Sequence, residues 1–120
     1  MTLKIQCVTI DAHDPAALAA WWAEALDFRV KELEDEDEVA IIPEDRGKDP
    51  AILFIRVPDE KVVKNRIHLD LTPDDRDAEV ARLEAMGATR VAIGQSGDES
   101  WVVLADPEGN ELCVLQPKST

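Results

Sequence analysis

The side chains of this chain that could do chemistry near neutral pH are few, and most of them recur at strand spacing. His68 and Asp70 stand two positions apart in Arg66-Ile-His-Leu-Asp-Leu-Thr72, so on an extended backbone they share one face. An imidazole beside a carboxylate suits general acid or base work. The same pair reads equally as a histidine hydrogen-bonded to its surroundings and a carboxylate that meets a ligand cation or lines a rim. Cys7, Thr9 and Asp11 repeat the two-residue spacing near the N-terminus, and Glu111 and Cys113 repeat it near the C-terminus. A free cysteine reads as a small buried hydrophobe or a reactive thiol. With His68, the two cysteines would also make a Cys2His zinc set with an open fourth position. Trp101 could wall a cavity, where stacking and cation–π attraction suit a planar or cationic guest, or sit in an interface. His13 lies in a turn and is expected at the surface.

The elements that must carry these residues form a repeat. Residues 3–10 read as a strand with Val8 and Ile10 on one face and Cys7, Thr9 and Asp11 on the other. Asp14 is the N-cap of a helix running to Leu26, with Pro15 in its first turn. Leu18, Trp22, Ala25 and Leu26 make its apolar stripe, with Trp21 beside them. Strands follow at Phe28–Leu33, Val39–Ile42 and Ala51–Val57, the last apolar on both faces. Glu32-Leu-Glu-Asp-Glu-Asp-Glu38 reads as a solvated hairpin loop, and Pro43–Pro50 as a turn-rich loop. After a connector over 58–65 the order returns: a strand over 66–71, the cap Asp75, and a helix from Arg76 to Met86 bearing Val80, Leu83 and Met86. Gly87 is placed to end that helix. Strands are predicted at Thr89–Ile93, Ser100–Ala105 and Glu111–Gln116, with turns at Gly94–Glu99 and Asp106-Pro-Glu-Gly-Asn110. Asp14 and Asp75 lie 61 positions apart, and Cys7 precedes its cap by the same seven residues as His68 precedes its own.

Composition narrows the function classes. A chain of 120 residues with 45% apolar content is expected to form one domain over 1–120 without a disulfide framework or structural metal. Its modules would run over about 1–58 and 65–118. The net charge of −13 argues against nucleic acid as partner and mildly favours cationic guests over anionic ones. No apolar run reaches membrane-spanning length and no signal segment opens the chain, so a cytoplasmic location without membrane association is expected.

In its order and spacing of motifs the sequence resembles the vicinal-oxygen-chelate superfamily, which groups glyoxalase, bleomycin-resistance and dioxygenase proteins, and within it the short glyoxalase-like proteins. The resemblance spans nearly the whole chain. It rests on Asp14-Pro-Ala-Ala-Leu-Ala-Ala-Trp-Trp22 with Leu26-Asp-Phe28, on Asn65-Arg-Ile-His-Leu-Asp-Leu71, on Glu79-Val-Ala-Arg-Leu83 with Met86-Gly-Ala88, and on Asp106-Pro-Glu-Gly-Asn-Glu-Leu-Cys-Val114. It implies an α+β fold of two tandem βαβββ modules forming one curved mixed sheet, with helices outside and Cys7, Thr9, Asp11, His68, Asp70, Glu111 and Cys113 facing a cavity. In metal-dependent members the first and last strands of each module supply His, Glu or Gln ligands. Those positions match Cys7, His68 and Cys113 here, and Ile52–Ile55 offers none. The resemblance therefore implies a small-molecule binding protein with a degenerate metal site, isolated without metal or other cofactor. Its ligand-binding residues would be His68, Asp70, Trp101, Asp11, Thr9 and Glu111. The alternative is a lyase- or isomerase-type enzyme using His68 catalytically, with or without a divalent metal. A homodimer is expected as well, and its interface is a third candidate for the functional surface.

Overall fold

The computed structural model describes residues 3–45, 48–92 and 100–117. The chain divides into two compact units, residues 1–60 and 61–120. Each unit is a βαβββ module. The first contains β1 (Cys7–Ala12), α1 (Pro15–Leu26), β2 (Arg29–Glu32), β3 (Glu38–Ile42) and β4 (Ala51–Arg56). The second contains β5 (Leu69–Leu71), α2 (Arg76–Ala85), β6 (Thr89–Arg90), β7 (Val102–Ala105) and β8 (Glu111–Val114). The strands pair as two four-stranded mixed sheets, one per module, ordered β1-β4-β3-β2 and β5-β8-β7-β6. In both, the opening strand runs parallel to the closing one and all other pairings are antiparallel. The predicted α+β class and the repeated module are thus observed, with hydrogen-bonded pairing resolved into one sheet per module.

The helices start where their caps dictate. Asp14 Oδ1 accepts from the Ala17 amide at 3.2 Å and Asp75 Oδ1 from Ala78 at 3.1 Å, each satisfying an amide that the first helical turn leaves unpaired. α2 ends in a Schellman arrangement: the Ala88 amide donates to Leu83 O at 3.0 Å and Gly87 to Glu84 O at 3.1 Å. Gly87 takes the positive φ of 106° that this closure needs. α1 closes with Asp27 in the left-handed region at φ 58°, a conformation Asp tolerates better than most residues.

The core of the first unit is α1 laid against β3 and β4. It buries Leu18, Ala19, Trp21, Trp22, Ile41, Ile52 and Phe54. The two indoles meet edge to face with centroids 5.2 Å apart, a favourable quadrupole geometry. In the second unit, α2 presents Val80 and Leu83, and the final strand buries Leu112, Cys113 and Val114 on both of its faces. The Asp106–Asn110 turn is held by a buried carboxylate. Asp106 Oδ1 accepts from the Glu108 and Asn110 amides at 2.9 and 3.0 Å, and Oδ2 accepts from Asn110 Nδ2 at 3.0 Å.

Strand ends depart from the sequence expectation for identifiable reasons. β1 begins at Cys7 because its parallel partner begins at Ala51, immediately after Pro50, which has no amide to donate. β5 covers only Leu69–Leu71 because β8 offers Leu112–Val114 opposite it. The backbone before β5 is tied by a side chain instead, the Asn65 amide donating to Glu111 Oε2 at 3.2 Å. The predicted end of the Thr89–Ile93 strand and the Gly94–Glu99 turn lie outside the described residues. The acidic loop is exposed as expected from Glu34 to Asp37, and Arg56 ties its end through a 3.0 Å ion pair with Asp37.

Candidate functional site

Three of the chemically capable residues converge in the second module. β5 sends Asp70 out at its centre, and the parallel register sets Asp70 directly opposite Cys113 on β8. His68 lies two residues before Asp70 and turns back to it, Nε2 to Oδ1 at 3.1 Å. The His68 ring nitrogen, an Asp70 carboxylate oxygen and Cys113 Sγ all lie within 4.8 Å of one another. The group is open on one side and closed on the other. The side chains of His68 and Asp70 are 36% and 53% exposed, whereas Cys113 is only 4% exposed.

Burial pushes the Cys113 thiol above its ordinary range, because a thiolate there would be poorly solvated. The charge of Asp70 and a hydrogen bond from the thiol to it push in the same direction, while the charge of Lys64 opposes them. The arrangement thus holds a protonated thiol beneath an exposed imidazole–carboxylate pair. It can donate and accept hydrogen bonds toward solvent, present negative charge to a cation, or offer nitrogen, oxygen and sulfur donors to a metal.

The other predicted site residues fall elsewhere. Glu111 shares the strand face of Cys113, but its carboxylate is occupied. Lys61 Nζ lies 3.1 Å from Oε1 and 3.0 Å from Oε2, and the Asn65 amide donates to Oε2. Burial raises its affinity for a proton, but the Lys61 and Asn65 interactions together with its own backbone hydrogen bond outweigh that and hold it below the ordinary carboxylate range. With its side chain only 9% exposed, Glu111 fastens the connector to β8. The carboxylate beside Cys113 is Asp70, and Glu111 does not take that place. Trp101 stands one residue before β7 and is 41% exposed. Thr9 and Asp11 belong to the first unit, exposed on β1 on the same strand face as Cys7. Cys7 Sγ meets Thr9 Oγ1 at 3.9 Å, and both cysteines are free thiols.

The repeat shows what the first module lacks. Its counterparts of His68, Asp70 and Cys113 are Cys7, Thr9 and, by register, Leu53. The spacing survives while two of three donors are gone or weakened. A recess of about 560 Å³ in the first unit is lined by Lys4, Gln6, Lys48 and Asp49 among others and contains no predicted site residue. Sequence reasoning missed the roles of Lys61 and Lys64, which read only as part of a mixed connector, and of Asn65, which entered only as the first residue of a family-like motif. The Asp70–Cys113 pairing was accessible in principle from the parallel register of the module's first and last strands.

Comparison with known proteins follows this geometry. A family model described as "Glyoxalase-like domain" matches residues 7–115. No curated protein matches the sequence. Among solved structures, a glyoxalase/bleomycin resistance protein/dioxygenase family enzyme from Burkholderia phytofirmans PsJN superposes with a TM-score of 0.75 at 21% identity, covering 97% of this chain and 100% of that one. The antibiotic-binding protein TnmS3 from Streptomyces sp. CB03234 gives 0.69 at 20%, covering 98% and 99%. A bleomycin-binding protein from Streptomyces verticillus, complexed with copper(II)-bleomycin, gives 0.62 at 18%, covering 98% and 99%. At these identities the likeness is one of fold.

Proposed function

The chain belongs to the glyoxalase-like domain family, and from that premise we propose that it is a small-molecule binding protein of the glyoxalase/bleomycin-resistance type, acting in the cytoplasm as a homodimer. The observation that carries this reading is the donor inventory at the family's metal positions. Leu53 occupies the register position of Cys113 and offers no donor atom, so the hard-ligand quartet of metal-dependent members does not fit these residues. The exposed His68–Asp70 pair is instead built to recognise a guest by charge and hydrogen bonding. Two structural neighbours described as antibiotic- or bleomycin-binding proteins support binding as a role this fold takes. The net charge of −13 favours a cationic guest, and Trp101, Thr9 and Asp11 are further candidate contacts.

Equilibrium titration with a panel containing bleomycin and planar organic cations tests the reading, followed through tryptophan fluorescence. At least one member should bind saturably. Asp70→Asn and His68→Ala should each weaken it by about tenfold to a hundredfold, the scale of a charge-assisted hydrogen bond. Binding indifferent to both substitutions would remove the second module from the site.

One observation favours a second reading. A carboxylate 3.1 Å from His68 Nε2 is the partner that orients an imidazole for general acid or base catalysis, as a lyase- or isomerase-type enzyme would need. Deuterium uptake from heavy water into a carbonyl substrate, abolished by His68→Ala, would establish it.

A further inference from the structure

The recess in the first unit takes no part in the site described above. We propose that it binds a small dianion of the phosphomonoester class. The ammonium groups of Lys4 and Lys48 meet the phosphoryl oxygens, and Gln6 and Asp49 meet hydroxyl groups on the body that carries them. This inference goes beyond the guest-binding reading and shares no residue with it, so either can fail without the other.

Strand topology builds the recess. β1 and β4 run parallel, so the segments that enter them reach the sheet at the same end. β3 runs antiparallel to β4 and leaves at that end through the buried Pro43. The register sets Cys7 opposite Ala51, which places Lys4 and Lys48 each three residues before a matched pair. Both line one cavity of about 560 Å³, inside the roughly 300–1,000 Å³ of small-molecule sites. Pro43 and Pro50 belong to its wall and have fixed φ. The Lys48 amide donates to Asp45 O at 3.3 Å, a turn that ties down the segment carrying Lys48.

Charge selects the ligand class. The chain has 13 basic residues against 26 acidic ones, and Arg56, Lys61, Arg76, Arg82 and Arg90 each have a carboxylate partner. Among the described residues, no ion pair involves Lys4 or Lys48. Two ammonium groups lining one cavity repel each other, and a dianion between them replaces that repulsion with two attractions. The acidic remainder of the molecule acts through solvent and is screened over about 10 Å at 0.1 M salt, whereas the lysines act at contact. Asp49 also lines the recess, and it opposes a bare anion. It favours a ligand whose body donates a hydroxyl to it, while the Gln6 amide can donate or accept. Lysine binds phosphate as a point charge, without the planar fork by which arginine grips a carboxylate.

Full-length protein titrated with glycerol 3-phosphate and with inorganic phosphate tests the site, followed through backbone amide shifts in nitrogen-15 spectra. At about pH 7.5 a phosphomonoester is mostly dianionic. Saturable shifts are expected at Lys4–Gln6 and at Lys48, Asp49 and Ala51. Glycerol 3-phosphate should bind more tightly than inorganic phosphate, and glycerol or acetate should have no effect. Lys4→Ala and Lys48→Ala should each weaken binding about fivefold to tenfold, the low end for charge-assisted hydrogen bonds because both side chains are exposed. Lys31→Ala removes the same charge from β2, outside the recess, and should leave binding unchanged. Asp49→Asn should tighten inorganic phosphate and erase the preference for glycerol 3-phosphate. The same spectra report whether each variant is folded. Shifts that never saturate, that sodium chloride reproduces at equal ionic strength, or that Lys31→Ala weakens as much as Lys4→Ala does, would overturn the site. Inorganic phosphate bound as tightly as glycerol 3-phosphate would overturn the phosphomonoester assignment.

Discussion

Glu111 shows how a residue's chemistry depends on what reaches it across the fold. Its place on the strand face of Cys113 suggested a cavity carboxylate, yet Lys61 and Asn65 claim both oxygens. Because its folded pKa is depressed, its stabilisation is fully present above the ordinary carboxylate range and is lost as pH falls through the folded value. Glu111→Gln should therefore cost about 1–3 kcal/mol at neutral pH, the scale of hydrogen bonds to a charged group. That difference should shrink as acid protonates the wild type. Urea unfolding of both proteins at about pH 7 and pH 3 checks it, and an equal gap at both would refute the ion-pair account. Cys113 gives a second residue-level expectation. Being buried and biased toward its protonated form, it should react with a thiol reagent more than tenfold slower than exposed Cys7 at about pH 8. Rates for Cys7→Ser against wild type measure this directly. The sequence showed His68, Asp70 and Cys113 as candidates, because period-two spacing reveals which neighbours on one strand share a face. It did not show that Asp70 and Cys113 are opposite one another, since that depends on a register set across the module.

At the scale of elements, the sequence was most legible where the determinants are local. Asp14 with Pro15 and Asp75 with its following helix were predicted as starts and are observed as such, because an N-cap acts on amides three residues away. Strand ends were less legible, since a strand stops where its partner stops. Residues 66–68 have the alternation of a strand, but their neighbour's amide is committed to Glu111. Asp75→Ala should cost about 1 kcal/mol by removing the acceptor for the Ala78 amide. Gly87→Ala should cost a similar amount, about 1 kcal/mol, because its φ of 106° strains any residue with a Cβ. Thermal unfolding resolves both, and an unchanged midpoint for Gly87→Ala would mean that the α2 terminus relaxes out of its Schellman closure.

The properties of the whole molecule depend on its charge and on what covers its strands. None of the helices among the described residues is long and apolar enough to cross a membrane. β4 buries Ile52 and Phe54 toward α1 but leaves Ala51, Leu53 and Ile55 only partly covered on its other face, and Leu3, Ile5, Val62, Val63 and Ile67 are exposed. One helix cannot cover both faces of an apolar strand, which motivates the homodimer proposed above. Two copies each carrying −13 repel one another, and this repulsion is screened over a Debye length of about 10 Å at 0.1 M salt. Association should therefore strengthen with ionic strength, through screening together with salt-favoured apolar burial. The expected outcome is a dimer mass by light scattering at micromolar concentration in 0.5 M sodium chloride, with dissociation advancing as salt is lowered toward 10 mM. A Leu53→Glu variant, adding charge to the partly covered face of β4, should shift the equilibrium toward monomer at every salt concentration. A monomer mass across the whole salt range would remove the dimer, and a dimer indifferent to Leu53→Glu would move its interface away from β4.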